Sequence, residues 1–183
     1  RWISSADGIA YSNDSIPSSV DSTYTLQDEK AILDCWNQVG SCVWRVASKG
    51  GALIVKPLNG SFGSIDFRSD VYPDSEIKEA RFVGDIKLIG NLDRRFGGCS
   101  NLCSIDFGSI DTSEVTGYSS LFEDCRSLNQ ITLGSGFVSK PGITCGLLFP
   151  HTGASASGFW LSSSDGVCYS YDQIPFGVPA TYR

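Results

Sequence analysis

The sequence has no methionine, one histidine and no apolar run close to the roughly 20 residues that a bilayer-spanning helix requires. The missing methionine leaves no initiator residue. No signal peptide, Arg-rich transit segment or C-terminal sorting tail is visible either, so the chain reads as a piece of something longer. Any Ser-His-Asp or Cys-His arrangement would have to use His151, yet no G-x-S-x-G elbow accompanies it, and beside Pro150 it reads as a surface side chain. Basic clusters are missing too. With 14 Lys plus Arg against 20 Asp plus Glu, a net charge of -6 and a pI of about 4.6, nothing is built to neutralise phosphate. That argues against nucleic acid or an anionic membrane surface as partners. There is no C-x-x-C pair, and Cys99 with Cys103 lacks the second pair or nearby histidine that zinc needs. Gly134-Ser-Gly136 does not continue into G-x-G-x-x-G, so no metal and no cofactor is implied.

Helical periodicity is scarce as well. The longest candidate runs from Leu26 to Trp36, where Asp28 and Glu29 suit a helix N-terminus ahead of Ala31, Ile32, Leu33 and Trp36. What the chain does have is material for a core: 183 residues, 41% hydrophobic and 11% aromatic, enough for one ordinary domain or two small ones. Its 20 glycines, 7 prolines and scattered Ser, Asn and Asp interrupt it at short intervals, which favours short strands and turns.

Two internal repeats organise the chain. The segment from Trp2 to Tyr24 aligns without a gap on Trp160 to Tyr182, an offset of 158. The alignment matches Trp2/Trp160, Asp7/Asp165, Gly8/Gly166, Tyr11/Tyr169, Asp14/Asp172, Ile16/Ile174, Pro17/Pro175, Val20/Val178 and Tyr24/Tyr182. A tandem array explains this most simply: the tail of one unit, then a complete second unit with its own tail. Asp7-Gly8 and Asp165-Gly166, each between a Trp and a Tyr, read as small hairpin turns. The second repeat is shorter. Phe96, Cys99, Leu102, Ile105 and Phe107 recur 26 residues later as Phe122, Cys125, Leu128, Ile131 and Leu133, and Leu102-x-x-Ile105-x-Phe107 has the L-x-x-L-x-L form of a leucine-rich-repeat strand. A degenerate coil precedes them at Ile77, Ala80 and Phe82, and another ends at Leu148-Phe149 after Cys145-Gly146. In such a coil the apolar residues point inward and the chain returns through a turn or short helix. Val43 to Val46 and Ala52 to Val55, joined by Ser48-Lys-Gly-Gly51, read as a hairpin capping the first open end.

The phrases Phe96-Gly-Gly-Cys99-Ser-Asn-Leu102-Cys-Ser-Ile105-Asp-Phe107, Ile110-Asp-Thr-Ser-Glu-Val115-Thr and Leu121-Phe122-Glu-Asp-Cys125-Arg-Ser-Leu128 resemble the BspA-like leucine-rich repeats of bacterial surface proteins. The strong match covers Leu92 to Gly136. One departure is that the family often has Met where Tyr118 and Leu121 stand; this alters core volume. The resemblance implies a β-rich (α+β) leucine-rich-repeat solenoid of about three coils, capped by short β-hairpins. The segments expected are 1–25 as the tail of a preceding module, 26–75 as lead-in, 76–150 as repeats and 151–183 as tail cassette. It also implies an extracellular, cell-surface or cell-wall location and a non-enzymatic role in adhesion or ligand binding.

Candidate site residues follow from the outward positions of the strands: Glu79 and Arg81, Ser104 and Asp106, Gln130 and Thr132. These would stack into one polar face, either a recognition surface or plain solvated strand. The tail aromatics Trp2, Tyr11, Trp160, Tyr169 and Tyr171 could stack on a sugar or anchor a protein, although their repetition at the 158 offset also fits a packing role. Tyr171, which replaces Asn13, is the freest of them. Seven cysteines are an odd number. Cys99 and Cys125 read as a buried thiol ladder, Cys35 and Cys42 as a possible disulfide, and Cys168 stands where the other cassette has Ala10. Asn13-Asp-Ser15 and Asn59-Gly-Ser61 match the N-glycosylation pattern. The expectation is an adhesion or ligand-binding module whose partner is an extracellular protein or glycan. A structural spacer in a surface rod is the alternative, and a hydrolase using paired carboxylates, which need no sequence signature, is the third reading.

Overall fold

Alternation of apolar and polar residues decides almost every element. In a computed structural model, residues 2–6, 9–11, 24–26, 36–59, 62–66, 76–139, 159–170 and 173–183 are described. They form β1 (Trp2–Ser4), β2 (Ile9–Tyr11), β3 (Tyr24–Leu26), β4 (Trp36–Val39), β5 (Cys42–Val46), β6 (Ala52–Pro57) and β7 (Phe62–Asp66). Then follow β8 (Glu79–Phe82), β9 (Asp85–Asn91), β10 (Ser104–Phe107), β11 (Ile110–Gly117), β12 (Gln130–Leu133), β13 (Phe159–Leu161), β14 (Cys168–Ser170) and β15 (Ala180–Tyr182). The interior 27–35 of the expected helix, the Asp7-Gly8 turn, Asn13 to Ser15, Gly60-Ser61, Cys35, Cys145 to Phe149, His151 and Tyr171 lie outside the described residues. Leu26 closes β3 and Trp36 opens β4.

Ten strands make one mixed sheet in the order β15-β12-β10-β8-β6-β5-β4-β2-β1-β3. Its middle is parallel: Ile105 lies opposite both Ala80 and Ile131, so the 26-residue sequence period becomes a step of one strand. The Val43 to Val46 and Ala52 to Val55 runs do pair antiparallel, with Val46 opposite Leu53, but they are not a separate cap. β6 continues in parallel onto β8 and carries the same sheet onward. A second, three-stranded parallel sheet, β11-β9-β7, lies on the return side.

Both sheets feed one core. Leu53, Val55, Ala80, Ile105, Phe107 and Ile131 from the long sheet meet Ile86, Leu88, Ile110 and Val115 from the short one, all essentially unexposed. Aromatic rings run through it at near-repeat spacing. Phe96 stacks on Phe122 with centroids 5.7 Å apart, Phe82 on Phe107 at 5.2 Å, and Phe137 meets both Phe107 at 5.1 Å and Phe176 at 5.8 Å. Each fully buried phenyl contributes about 1.5–3 kcal/mol. Gly134 and Gly136 let the last turn close against this stack, because a Cβ at either position would strike the carbonyl of Gly108 or Ile110.

The α+β leucine-rich-repeat solenoid expected from the resemblance is corrected here. Among the described residues 49% are strand and 1% helix, with mixed and parallel sheets. The return leg is strand where a turn or short helix was expected. Asp85-Ile-Lys-Leu-Ile buries Ile86 and Leu88 at period 2, and Ile110-Asp-Thr buries Ile110 and Thr112 the same way. Residues at such spacing cannot share one face of a helix.

The two terminal cassettes fold alike. Trp2 lies opposite Tyr11 and Ile3 opposite Ala10, and at the 158 offset Trp160 lies opposite Tyr169 and Leu161 opposite Cys168. Ser4 opposite Tyr24 has its counterpart in Ser162 opposite Tyr182. Even the local turn repeats: Ser4 Oγ accepts the Ala6 amide at 3.2 Å and Ser162 Oγ accepts the Ser164 amide at 3.3 Å. In the C-terminal cassette β15 docks antiparallel on β12 and closes that edge of the long sheet.

Candidate functional site

The outward face of the long sheet collects side chains from strands distant in sequence. Because Ile105 and Phe107 point into the core, Ser104 and Asp106 point out, and the parallel register stacks their equivalents beside them. One row reads Arg45, Ile54, Arg81, Asp106, Thr132 and Thr181 across six strands. The next reads Ala52, Glu79, Ser104 and Gln130. All six residues expected at the outward strand positions therefore lie on one surface.

That surface is held in place by its own contacts. Arg81 Nε donates to Glu79 Oε1 at 2.6 Å; this bond, and behind it the charges of Glu79 and Asp106, raise the hold of the guanidinium on its proton. Asp106 Oδ1 accepts the Gly108 amide at 2.8 Å, Thr132 and Thr181 share a hydroxyl contact of 3.1 Å, and Arg183 Nε reaches Gln130 Oε1 at 3.1 Å. At the far end of the row the Arg45 guanidinium lies 4.7 Å and the Lys56 ammonium 4.4 Å from the centre of the Trp36 ring. Two cations on one indole make a cation–π cluster. Arg45 Nε is buried without a hydrogen-bond acceptor among the described residues. The row thus runs from an aromatic, cationic end, through an Arg81/Asp106 centre, to hydroxyls and an amide.

Reading the sequence misses Trp36, Arg45, Ile54 and Lys56. The polar positions in Val43-Trp-Arg-Val46 and Ala52-Leu-Ile-Val-Lys56 are a signal that Arg45 and Lys56 face outward. Only the β6–β8 register shows that they continue the same face.

The tail aromatics divide. Trp160 is 2% exposed and sits in the core, so it is no stacking platform; the hairpin folds it inward. The Tyr169 hydroxyl donates to Asp165 Oδ2 at 2.7 Å and its ring meets Tyr182 edge-on. The amide of Val167 and that same hydroxyl hold the Asp165 carboxyl below its ordinary range. Cys42 carries a free, fully buried thiol, and Cys35, its expected partner, lies outside the described residues. Cys99 and Cys125 are buried thiols outside any disulfide, and the Cys125 thiol donates to the Phe96 carbonyl oxygen at 2.8 Å. Cys103 and Cys168 are exposed.

A second concavity, about 380 Å³, opens where the β8–β9, β10–β11 and post-β12 turns meet, lined by Asp85, Ile86, Gly108, Ser109, Ile110, Asp111, Ser135 and Gly136. Burial pushes the Asp111 carboxyl upward. Hydrogen bonds from Ser113 and the nearby Lys87 ammonium, 3.6 Å away, outweigh it and hold the group below its ordinary range. A general acid needs the opposite shift, so Asp111 suits a fixed charge. Among the described residues no three His, Cys, Asp or Glu side chains gather to hold a metal. Comparison of the chain with protein-family models, with curated proteins and with solved structures finds no match.

Proposed function

We propose that the chain is a non-covalent recognition module of an extracellular bacterial surface protein, and that its outward sheet face binds a protein or glycan of the host or of neighbouring cells. The observation that carries this reading is the continuous row from Trp36 and Arg45 to Thr132. It offers an aromatic ring, fixed charges of both signs and hydroxyls on a rigid scaffold, the mixture by which shallow sites achieve specificity. The phrases from Phe96 to Leu128, similar to repeats of bacterial surface proteins, support the location and the adhesive role.

The test is a binding screen of the chain against arrays of extracellular proteins and glycans, repeated with Asp106→Ala/Gln130→Ala. A saturable hit weakened at least tenfold, about 1.4 kcal/mol, places binding on this face. A hit that survives the double substitution overturns that placement. The alternative, a structural spacer, is favoured by the two cassettes folding alike, which suits a rod of repeated units; it predicts no saturable hit at all.

A further inference from the structure

The two cassettes differ in what lies along their outer strand. In the N-terminal copy, β2 carries β4 in parallel on the side away from β1, with Ile9 opposite Trp36 and Ala10 opposite Asn37. Ile9 is thereby only 7% exposed, covered by Val43, Trp36 and Leu58. In the C-terminal copy the corresponding strand, β14, pairs with β13 alone among the described strands. Val167, the counterpart of Ile9, is 46% exposed. Phe159, Leu161 and Val178 are also open to solvent, so among the described residues four of the five large exposed hydrophobic side chains sit in this cassette.

The backbone there is aimed outward. The Ser162 amide donates to the Val167 carbonyl at 2.9 Å. In an antiparallel ladder, hydrogen-bonded pairs alternate with non-bonded ones, so the bonded pairs fall at 162/167 and 160/169 and the amide and carbonyl of Cys168 turn away from β13. A strand that turns the Cys168 amide and carbonyl outward beside an exposed Val167 is a template for one more strand.

We infer that the outer edge of β14 is the seat of a β4-type strand from a following copy of this module, joined in parallel with Val167 opposite the counterpart of Trp36 and Cys168 opposite the counterpart of Asn37. The occupant is fixed by what the same cassette already holds within this chain. It is a short strand beginning with Trp, a turn at the counterpart of Gly40, and a returning strand whose Val43 equivalent covers Val167. A second separate copy of the chain does not meet the requirement, because its β4 is already held by its own β2. Arg183 stands at the position of Thr25, so residues 26–183 placed directly after it restore the native spacing. The inference stands on the repeat alone and survives if the outward face binds nothing.

The test extends the 183-residue chain at Arg183 by a second copy of residues 26–183 and reads amide hydrogen exchange by mass spectrometry. The peptide covering Val167 to Ser170 then occurs twice. Its mass envelope is expected to split into two populations: one slowed at least a hundredfold at the internal cassette, and one as fast as in the single chain at the terminal cassette. A single fast envelope, with the β10 peptides protected in both copies, overturns the inference. A second measurement needs no extension. Replacing residues 2–24 by residues 160–182 puts the C-terminal cassette where β4 is waiting. The amides of Trp36 to Val39 are expected to keep their protection, and their loss alone, with β10 still protected, overturns the inference. Val167→Asp gives a third contrast: no change in melting temperature in the single chain, and a fall of several degrees in the extended one.

Discussion

At the scale of the residue, the core is most sensitive at Phe107, whose ring is unexposed and touches Phe82, Phe96, Phe122 and Phe137. Phe107→Ala leaves a cavity that a stack of flat rings cannot close. It is expected to lose about 3–5 kcal/mol, seen as a fall of about 10 °C or more in thermal melting. Cys42 provides a pH test. Burial pushes its thiol from 9.0 up to about 11, so the folded chain keeps the proton where the unfolded chain releases it. Its contribution is whole below pH 9.0 and is lost as pH rises towards about 11. Melting curves of the wild-type chain and Cys42→Ala are expected to converge across that window; a constant difference would refute the burial argument. Single residues were legible where a repeat aligned them, as with Cys99 and Cys125. Trp160 was not, because a repeated hairpin does not by itself say which of its faces meets the core.

At the scale of the element, strands whose alternation is clean could be read from the sequence: Ser104-Ile-Asp-Phe107 and Gln130-Ile-Thr-Leu133 bury every second side chain. β11 hid because its register shifts between Asp111 and Glu114 and again between Val115 and Gly117, so its alternation breaks partway. The outward face was half legible for a related reason. Periodicity says which way a side chain points, whereas neighbours across a sheet depend on register. The β15 element makes a prediction of its own. Ala180→Pro deletes an amide from the β12–β15 ladder and is expected to cost about 1–3 kcal/mol. It should also free the β12 edge, detected as concentration-dependent association by light scattering.

At the scale of the whole molecule, each terminal cassette covers one flank of the long sheet: β15 of the C-terminal cassette lies on β12, and β2 of the N-terminal cassette lies on β4. Removing residues 1–25 uncovers β4 and takes Ile9 from Val43, Trp36 and Leu58. The shortened chain then presents an open β4 at one end and an open β14 at the other. It is expected to associate head to tail into chains of indefinite length, which sedimentation velocity would show as a broad, concentration-dependent distribution. A single closed dimer would contradict this.

The sheet order has a mechanical consequence. Neighbouring strands are about 4.8 Å apart in the hydrogen-bonding direction, so nine steps span about 43 Å along the ladder. Tension drawn along that direction pulls on hydrogen bonds lengthwise and opens them one rung after another. A sheet sheared along its strands must instead break many bonds together. A fibre of such units would therefore yield early and in small steps, lengthening as a compliant tether under load and recoiling when released.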